Sequence, residues 1–206
     1  MDIIDNYRDL PLGKYQEIQI INKDEKLDDF DRQVRIIGVL SGLSEKDVLA
    51  LPIDKYKEMV AKSRFIEAPS TENHTILAKS YRVGDFDLIP VTDTRRVTTA
   101  QYIDFVQLQK AGIDEHIVEI MSTLLVPRGH KYCQDYDIAD VQEAIRKDLS
   151  TADMLTLYAF FLVSLTASAK ATLSSSKRLA RGIKDKTKRR QVMEQIRTAT
   201  RRNGDG

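Results

Sequence analysis

Three histidines and one cysteine are the side chains of this sequence best suited to bind a soft metal ion. His130 and Cys133 lie close together in the stretch HKYC, with a spacing that offers two ligands to zinc. A zinc site needs about four ligands, however, and the sequence contains no second pair of this kind. His74 and His116 lie in stretches without a partner motif. We interpret all four as surface or loop residues, and we expect no metal and no cofactor.

Catalytic motifs are the next test for an enzyme. The sequence has no nucleophile elbow, no Walker loop, no GxGxxG and no HExxH. Its nine glycines do not cluster where they could surround a phosphate. The acidic stretch DEKLDDFD, residues 24–31, lacks the central glycine and the final glutamate of an EF-hand loop. It is typical of an acidic helix N-terminus, which the helix dipole favours. We therefore expect a protein that is not an enzyme.

The elements that would position these residues begin with two helices, over residues 12–22 and 26–41, predicted from apolar residues at helical spacing. Gly42 is placed to end the second helix, and Ser44 to cap a short third one. Pro52 falls in the first turn of a fourth helix, where its missing N–H costs nothing.

The pattern of the first two helices recurs 87 residues later, where TTAQYIDFVQLQ resembles LGKYQEIQIINK. In this alignment Tyr102 falls on Tyr15 and Gly129 on Gly42, and apolar positions match over two helix-length windows. We expect both tyrosines to be buried just after a helix start. The match fits an internal duplication, and it also fits chance.

Between the two copies, HTILAKSYRVGDFDLIPV alternates apolar and polar residues and predicts a β-hairpin that turns at Gly84-Asp85. Pro90 indicates that the second strand is short or at an edge of the sheet. Beyond it, a cap at Thr98 or Thr99 and a stop at Pro127-Arg128-Gly129 bound two further helices.

Two more helix starts follow the loop GHKYCQDYD. Asp137 is placed to cap one helix, and Ser150 or Thr151 to cap the next. The predicted fold class is mainly α, with two related helical halves, a small inserted β-hairpin and a basic C-terminal helix or tail. The parts are a first helical half (1–67), a hairpin or linker (68–97), a second helical half (98–176) and a basic tail (177–206).

The most apolar stretch is MLTLYAFFLVSLTASAKATL, which begins at Met154. Its charge-free run of 16 residues is interrupted by hydroxyl side chains, and a membrane span needs about 20 predominantly apolar residues. A buried central helix is therefore favoured over a membrane helix. The alternative is a helix whose apolar face binds another protein. The residues expected to line that face are Met154, Leu157, Tyr158, Phe160 and Phe161.

Charge is distributed unevenly along the chain. Residues 177–206 carry a net charge of +8, and the rest of the chain carries −7. The tail has no aromatic residue on which a nucleic-acid base could stack. An acidic protein partner, a nucleic acid and solvent alone are the three alternatives for it. The residues expected to make its contacts are Lys177, Arg178, Arg181, Lys184, Lys188, Arg189 and Arg190.

The single cysteine excludes an intramolecular disulfide and fits a reducing compartment. The stretch MDIIDNYRDLPL carries acids and a proline where a secretory signal has an apolar core. We expect a cytoplasmic protein.

Four stretches of the second half resemble recurrent elements of small proteins from tailed bacteriophages of Bacteroidetes-type hosts. They are Tyr102 to Phe105 in a Tyr-Ile-Asp-Phe helix, Leu125 to Tyr132 at a helix stop, Asp140 to Ile145, and the aromatic run Tyr158 to Phe161. The resemblance is best over residues 98–163, is weak in the first half and does not include the basic tail. It rests on structural motifs.

Such phage proteins look like tail assembly chaperones, which keep the tape-measure protein soluble while the tail tube polymerises around it. The resemblance implies a non-enzymatic chaperone that binds a helical client, a tape-measure or other tail protein, through apolar helix surfaces. It would act in the host cytoplasm during assembly. The alternative is a structural virion or head-tail connector component whose basic tail contacts DNA or acidic protein. The sequence leaves the oligomeric state open.

Overall fold

The computed structural model describes residues 2–67, 77–93 and 97–161. The expectations for the basic tail and for His74 therefore lie outside the described residues. The chain divides into two compact units, one from Met1 to Phe160 and a second that begins at Phe161.

Four helices form the first half, with starts and ends that follow from their capping residues. The Asp28 side chain accepts a hydrogen bond from the Asp31 N–H at the start of the second helix. Gly42 ends that helix in the left-handed conformation, with φ 75°, and Ser44 caps the third helix through the Asp47 N–H. The helices are α1 (Leu12–Lys23), α2 (Asp29–Ser41), α3 (Glu45–Leu49) and α4 (Ile53–Ser63), followed by a 3₁₀ turn (Arg64–Glu67).

The predicted hairpin is present and belongs to a three-stranded antiparallel sheet. Its strands are β1 (Tyr81–Val83), β2 (Phe86–Pro90) and β3 (Leu125–Pro127), in the order β1-β2-β3. The third strand was not predicted, because residues 125–126 were assigned to the end of a helix.

Pro90 was expected to mark a second strand that is short or at an edge of the sheet. The strand has five residues, and its edge position is wrong, since β2 is the central strand. The register explains why the sheet accepts the proline. Val91 N–H donates to the Leu124 carbonyl and Arg128 N–H donates to the Asp87 carbonyl, so odd-numbered residues of β2 bond to β3. The backbone nitrogen of Pro90 faces the β1 side instead. It lies beyond the last residue pair of β1 and β2, which is Tyr81 with Leu88. Its missing N–H therefore leaves the ladder intact.

Three helices of the second half have their predicted caps. Thr98 and Gln101 form a reciprocal capping box, and the Asp137 side chain accepts from the Ala139 N–H. Ser150 accepts from the Asp153 N–H at the start of a helix that covers residues 151–161. The other helices of this half are α5 (Thr99–Ala111), α6 (Ile117–Leu124) and α7 (Ile138–Asp148).

The residues up to Phe160 share one interior, which begins in a buried apolar cluster of the first half. Ile18, Ile37 and Leu40 lie at the centre of that cluster. The N-terminal segment joins it to the second half, because the Leu10 carbonyl accepts bonds from the N–H and the hydroxyl of Thr151. Gln16, on α1, donates to the Glu115 carbonyl and accepts from Arg146, on α7, at 2.9 Å. The two halves are thus tied by buried polar contacts as well as by apolar packing.

The aligned tyrosines do not share an environment. Tyr15 is half-buried against Tyr7, at a ring-centroid distance of 6.5 Å. Tyr102 is 54% exposed, so the expectation that it is buried is wrong. It follows the buried Gln101 on α5, and the side chain of α5 that faces the interior is Phe105 instead. The duplication itself stays a prediction.

Within the residues that the structure describes, no helix is both long enough and apolar enough to cross a membrane.

Candidate functional site

The five side chains expected to bind a client divide into two groups. Met154, Leu157 and Phe161 are buried, with 2% or less of their surface exposed. Tyr158 and Phe160 are half-buried. A client would reach the first three only after a rearrangement, so the client-binding role of this stretch stays a prediction. The seven tail residues expected to make contacts lie outside the described residues. They are Lys177, Arg178, Arg181, Lys184, Lys188, Arg189 and Arg190.

His116, His130 and Cys133, which the structure describes, do not form a ligand cluster. Among the described residues, no three His, Cys, Asp or Glu side chains are placed to hold a metal ion. His130 packs its ring edge-on against Tyr136, at a centroid distance of 5.9 Å, and Cys133 is exposed. Cys133 and Asp135 both have positive φ, 53° and 63°, which gives this loop two tight left-handed bends.

An outward apolar stripe on α5 is the first surface feature that fits protein binding. Phe105 turns to the interior, while Tyr102 and Ile103, 54% and 46% exposed, turn outward. Val106 follows them at helical spacing and is half-buried. A helix with apolar side chains on two faces is typical of one that packs on its own protein and on another. We call Tyr102, Ile103 and Val106 the α5 stripe.

A groove over the outer face of the sheet is the second feature. The direct pair Ile89 and Val126 lies on the face of the sheet opposite to the buried Leu88. The groove has a volume of about 630 Å³. Its apolar floor includes Ile89, Val91 and Val126, and its wall includes His130, Lys131 and Tyr132 of the loop. Gln101 at the start of α5 also lines it.

One end of the sheet's outer face carries an exposed ion pair. Arg128 Nε lies 2.6 Å from Asp87 Oδ2, and Arg82 is the direct partner of Asp87 on β1. The hydrogen bond from Arg128, followed by one from Ser80, holds the pKa of Asp87 below its ordinary value. Asp87 therefore stays ionised, and its charge is offset by that of Arg128.

Tyr132 fixes the wall of the groove to α5. Its hydroxyl donates to Asp104 Oδ2 at 2.9 Å, and its side chain is buried. Burial raises the pKa of the Tyr132 phenol, and the bond to Asp104 raises it further. The phenol is therefore protonated at neutral pH and remains a donor. Since this contact joins the loop to the helix that carries the α5 stripe, the two surface features have a common support.

Sequence reasoning missed both features. The groove depends on two contacts, the pairing of Ile89 with Val126 and the hydrogen bond from Tyr132 to Asp104. The residues of each pair lie far apart in the chain, so no local sequence pattern predicts these contacts. The α5 stripe did have a local signal, because Ile103 and Phe105 lie two positions apart and cannot face the same side of one helix. The alignment with Tyr15 led instead to the expectation of a buried tyrosine.

The fold and these surfaces define a mainly helical protein with a small antiparallel sheet and exposed apolar side chains beside a groove. No family model matches the chain, and no curated protein or solved structure matches it significantly.

Proposed function

We propose that the protein is a non-enzymatic interaction protein that binds a helical client through apolar helix surfaces, in the manner of a phage tail assembly chaperone. A tape-measure protein before assembly is a long helical chain with exposed apolar stripes. A protein that keeps such a chain soluble needs apolar side chains on its own surface that tolerate many client sequences. In this proposal it acts in the host cytoplasm.

The observation that carries the proposal is the α5 stripe. Single exposed apolar residues are common on protein surfaces, but Tyr102 and Ile103 are adjacent and are followed on the same side by Val106. The helix beneath them is fixed by the capping box at its start and by buried Phe105. A large aromatic side chain held on a fixed helix is a common anchor of protein interfaces.

The aligned halves belong to the proposal as a duplicated helix pair. The first residues of α1 and α5, Leu12 and Thr99, are 87 positions apart, which is the shift of the sequence alignment. The aligned Gly42 and Gly129 both have positive φ, 75° and 84°. A duplicated pair would give one chain two related surfaces for a repetitive client. Measuring the crossing angles of α1 with α2 and of α5 with α6 tests this, because unrelated angles would contradict a duplication.

Co-expression with a tape-measure protein tests the client. We expect the chain to keep a tape-measure fragment in the soluble fraction and to co-purify with it. The double substitution Tyr102→Ser and Ile103→Ser should abolish that effect. Ile53→Ser is the matched control, since Ile53 is 63% exposed on α4, away from the α5 stripe in the chain. Equal loss in the control would show that the stripe has no special role.

Mass spectrometry of purified virions separates a chaperone from a structural component. A chaperone leaves the assembled particle, so we expect the chain to be absent from virions and present in infected cells. A fixed copy number in the virion would contradict the proposal and favour a connector role.

A further inference from the structure

We propose that a pocket between α5 and α6, next to the α5 stripe, binds a lysine or arginine side chain of the client segment whose apolar residues contact that stripe. The inference rests on the proposed function and deepens it, because it names the chemistry of the client segment. That segment carries a cationic side chain beside its apolar ones.

The pocket has a volume of about 340 Å³, and its walls come from α5, α6, the loop residue Tyr132 and α7. Asp104 and Gln107 contribute from α5, and Glu119 contributes from α6. Ile103 of the α5 stripe and Gln107 of the pocket are four positions apart on one helix, so they are neighbours on its surface. One client segment can therefore contact the stripe and the pocket together.

The lining of the pocket is acidic. It contains the carboxylates of Asp104 and Glu119, and its described residues include no lysine and no arginine. His116 is the one described lining residue that can gain a positive charge. A cationic side chain in this pocket would have a carboxylate on each of two helices, and an acidic one would be repelled.

Asp104 has no cationic partner among the described residues. Its Oδ2 accepts from the Tyr132 hydroxyl at 2.9 Å, but the phenol is a neutral donor and leaves the other carboxylate oxygen for a second one. No ion pair of the described residues includes Asp104. Since Asp104 is half-buried, salt screens its charge less than it screens an exposed one.

The charge of Glu119 is offset only in part. Arg146 Nη2 lies 3.7 Å from Glu119 Oε1, but Arg146 Nε also lies 3.7 Å from Glu143 Oε2, so one guanidinium is shared between two carboxylates. Glu119 Oε2 lies beneath the surface without a hydrogen-bond partner. A cation in the pocket would offset this charge through space, without direct contact.

A helical client segment with one cationic residue at the border of its apolar face fits both features. Its apolar residues would cover Tyr102 and Ile103, which removes apolar surface from water. The long apolar stem of a lysine or arginine would let its charged end reach past the stripe to Asp104.

Fluorescence anisotropy with the full-length protein tests the inference. The probe is a labelled helical peptide of leucine, alanine and lysine, and two comparison peptides have glutamine or glutamate in place of lysine. We expect the lysine peptide to bind roughly tenfold more tightly than the glutamine peptide, and the glutamate peptide to bind most weakly.

Asp104→Asn keeps an acceptor for the Tyr132 hydroxyl and removes the charge. It should weaken binding of the lysine peptide by roughly 3- to 10-fold and leave binding of the glutamine peptide unchanged. Glu119→Gln should act in the same direction with a smaller effect, because Arg146 already offsets part of the Glu119 charge. Asp54→Asn is the matched control, since Asp54 is an exposed aspartate on α4 and its substitution changes the net charge equally.

Three results would overturn the inference. They are equal binding of the lysine and glutamine peptides, equal loss in Asp104→Asn and Asp54→Asn, and an Asp104→Asn variant that loses both peptides alike. If the first result is found while the co-expressed tape-measure fragment still depends on Tyr102 and Ile103, the proposed function stands and this inference alone is wrong.

Discussion

The helix pairs α1–α2 and α5–α6 start at matching positions in the sequence alignment, and they differ in the length of their second helix. α2 continues for 13 residues to Ser41, whereas α6 ends after 8 residues and the chain continues as β3. Both segments then reach a glycine with positive φ, Gly42 or Gly129. The difference lies in the neighbouring strand. Asp87 of β2 accepts from the Arg128 N–H, and Val91, directly after β2, donates its N–H to the Leu124 carbonyl. A nearby strand can thus override a helical pattern at its last turn.

The burial of aligned residues is alike at some positions of α2 and α6 and different at others. Val34 and Ile37 of α2 are buried, and so are their aligned residues Met121 and Leu124 of α6. Phe30 breaks the correspondence, because it is 56% exposed while the aligned Ile117 is buried. Positions facing the interior are therefore alike in the two halves, and positions at the start of the second helix are not.

The largest expected effects are those of core truncations made in parallel in the two halves. Ile37→Ala and Met121→Ala each remove a fully buried side chain, so each should lower the free energy of unfolding by about 2–5 kcal/mol. Because Gln16, Arg146 and Thr151 tie the halves together, urea unfolding should show one transition in both variants.

Ile53→Ala is the control for these truncations, since Ile53 is exposed and its loss should change stability little. Two transitions, only one of which moves in each variant, would mean that the halves fold independently and that the contacts between them are weak.

Gly13→Ala tests the junction between the halves and should have the next largest effect. A Cβ at Gly13 would lie 2.6 Å from Arg146 Cγ and 2.9 Å from the Arg146 carbonyl oxygen. The α1 and α7 backbones would have to separate, and overpacking of this kind costs about 1–3 kcal/mol. Thermal or urea unfolding measures the loss.

Arg146→Ala combined with Gly13→Ala sharpens that measurement. Arg146→Ala removes the contact with Arg146 Cγ but leaves the contact with the Arg146 carbonyl oxygen. We therefore expect Arg146→Ala not to restore the stability that Gly13→Ala removes. Full restoration would show that the side chain alone limits the approach of α1 to α7.

Helix starts were the part of the fold that local sequence predicted best. Ser44, Thr98 and Asp137 each accept a backbone hydrogen bond at the predicted cap position. A capping bond joins residues two or three positions apart, so the sequence contains all of its determinants. The hairpin turn at Gly84, with φ 51°, is local in the same sense.

Long-range pairing was not predictable from the same patterns. The short apolar stretch that became β3 fits a helix end as well as a strand, and only the partner strand decides between them. The groove depends on that strand and on the contact between Tyr132 and Asp104, so it was missed as well. The exposure of Tyr102 shows the converse, since a convincing alignment with Tyr15 did not transfer its burial.

Gly42→Ala and Gly129→Ala compare the two halves at aligned glycines that both have positive φ. At neither glycine does a new Cβ meet a heavy atom within 4 Å, so the cost is that of the left-handed backbone alone. We expect each substitution to lower stability by about 1 kcal/mol, and asparagine to cost less than alanine. Unequal losses in urea unfolding would indicate that β3 holds Gly129 differently from the way α2 holds Gly42.

Glu58 provides the smallest expected effect, because it is an exposed ion-pair group on α4 of the first half. Its hydrogen bonds with Lys55 and Lys62, at 2.9 Å and 3.1 Å, lower the pKa of Glu58 to about 2 from an ordinary 4.5. A carboxyl with a lowered pKa in the folded state stabilises it above pH 4.5, and that contribution is lost as the pH falls toward 2. Glu58→Gln should therefore have a slightly lower melting temperature than the unsubstituted protein at pH 7 and the same one near pH 2. The difference at pH 7 should shrink in 1 M salt, because exposed charges are screened. Glu143→Gln is the counterpart in the second half, where Lys147 lies 3.1 Å away. A loss at pH 7 that persists at pH 2 would show that Glu58 acts through packing and not through its charge.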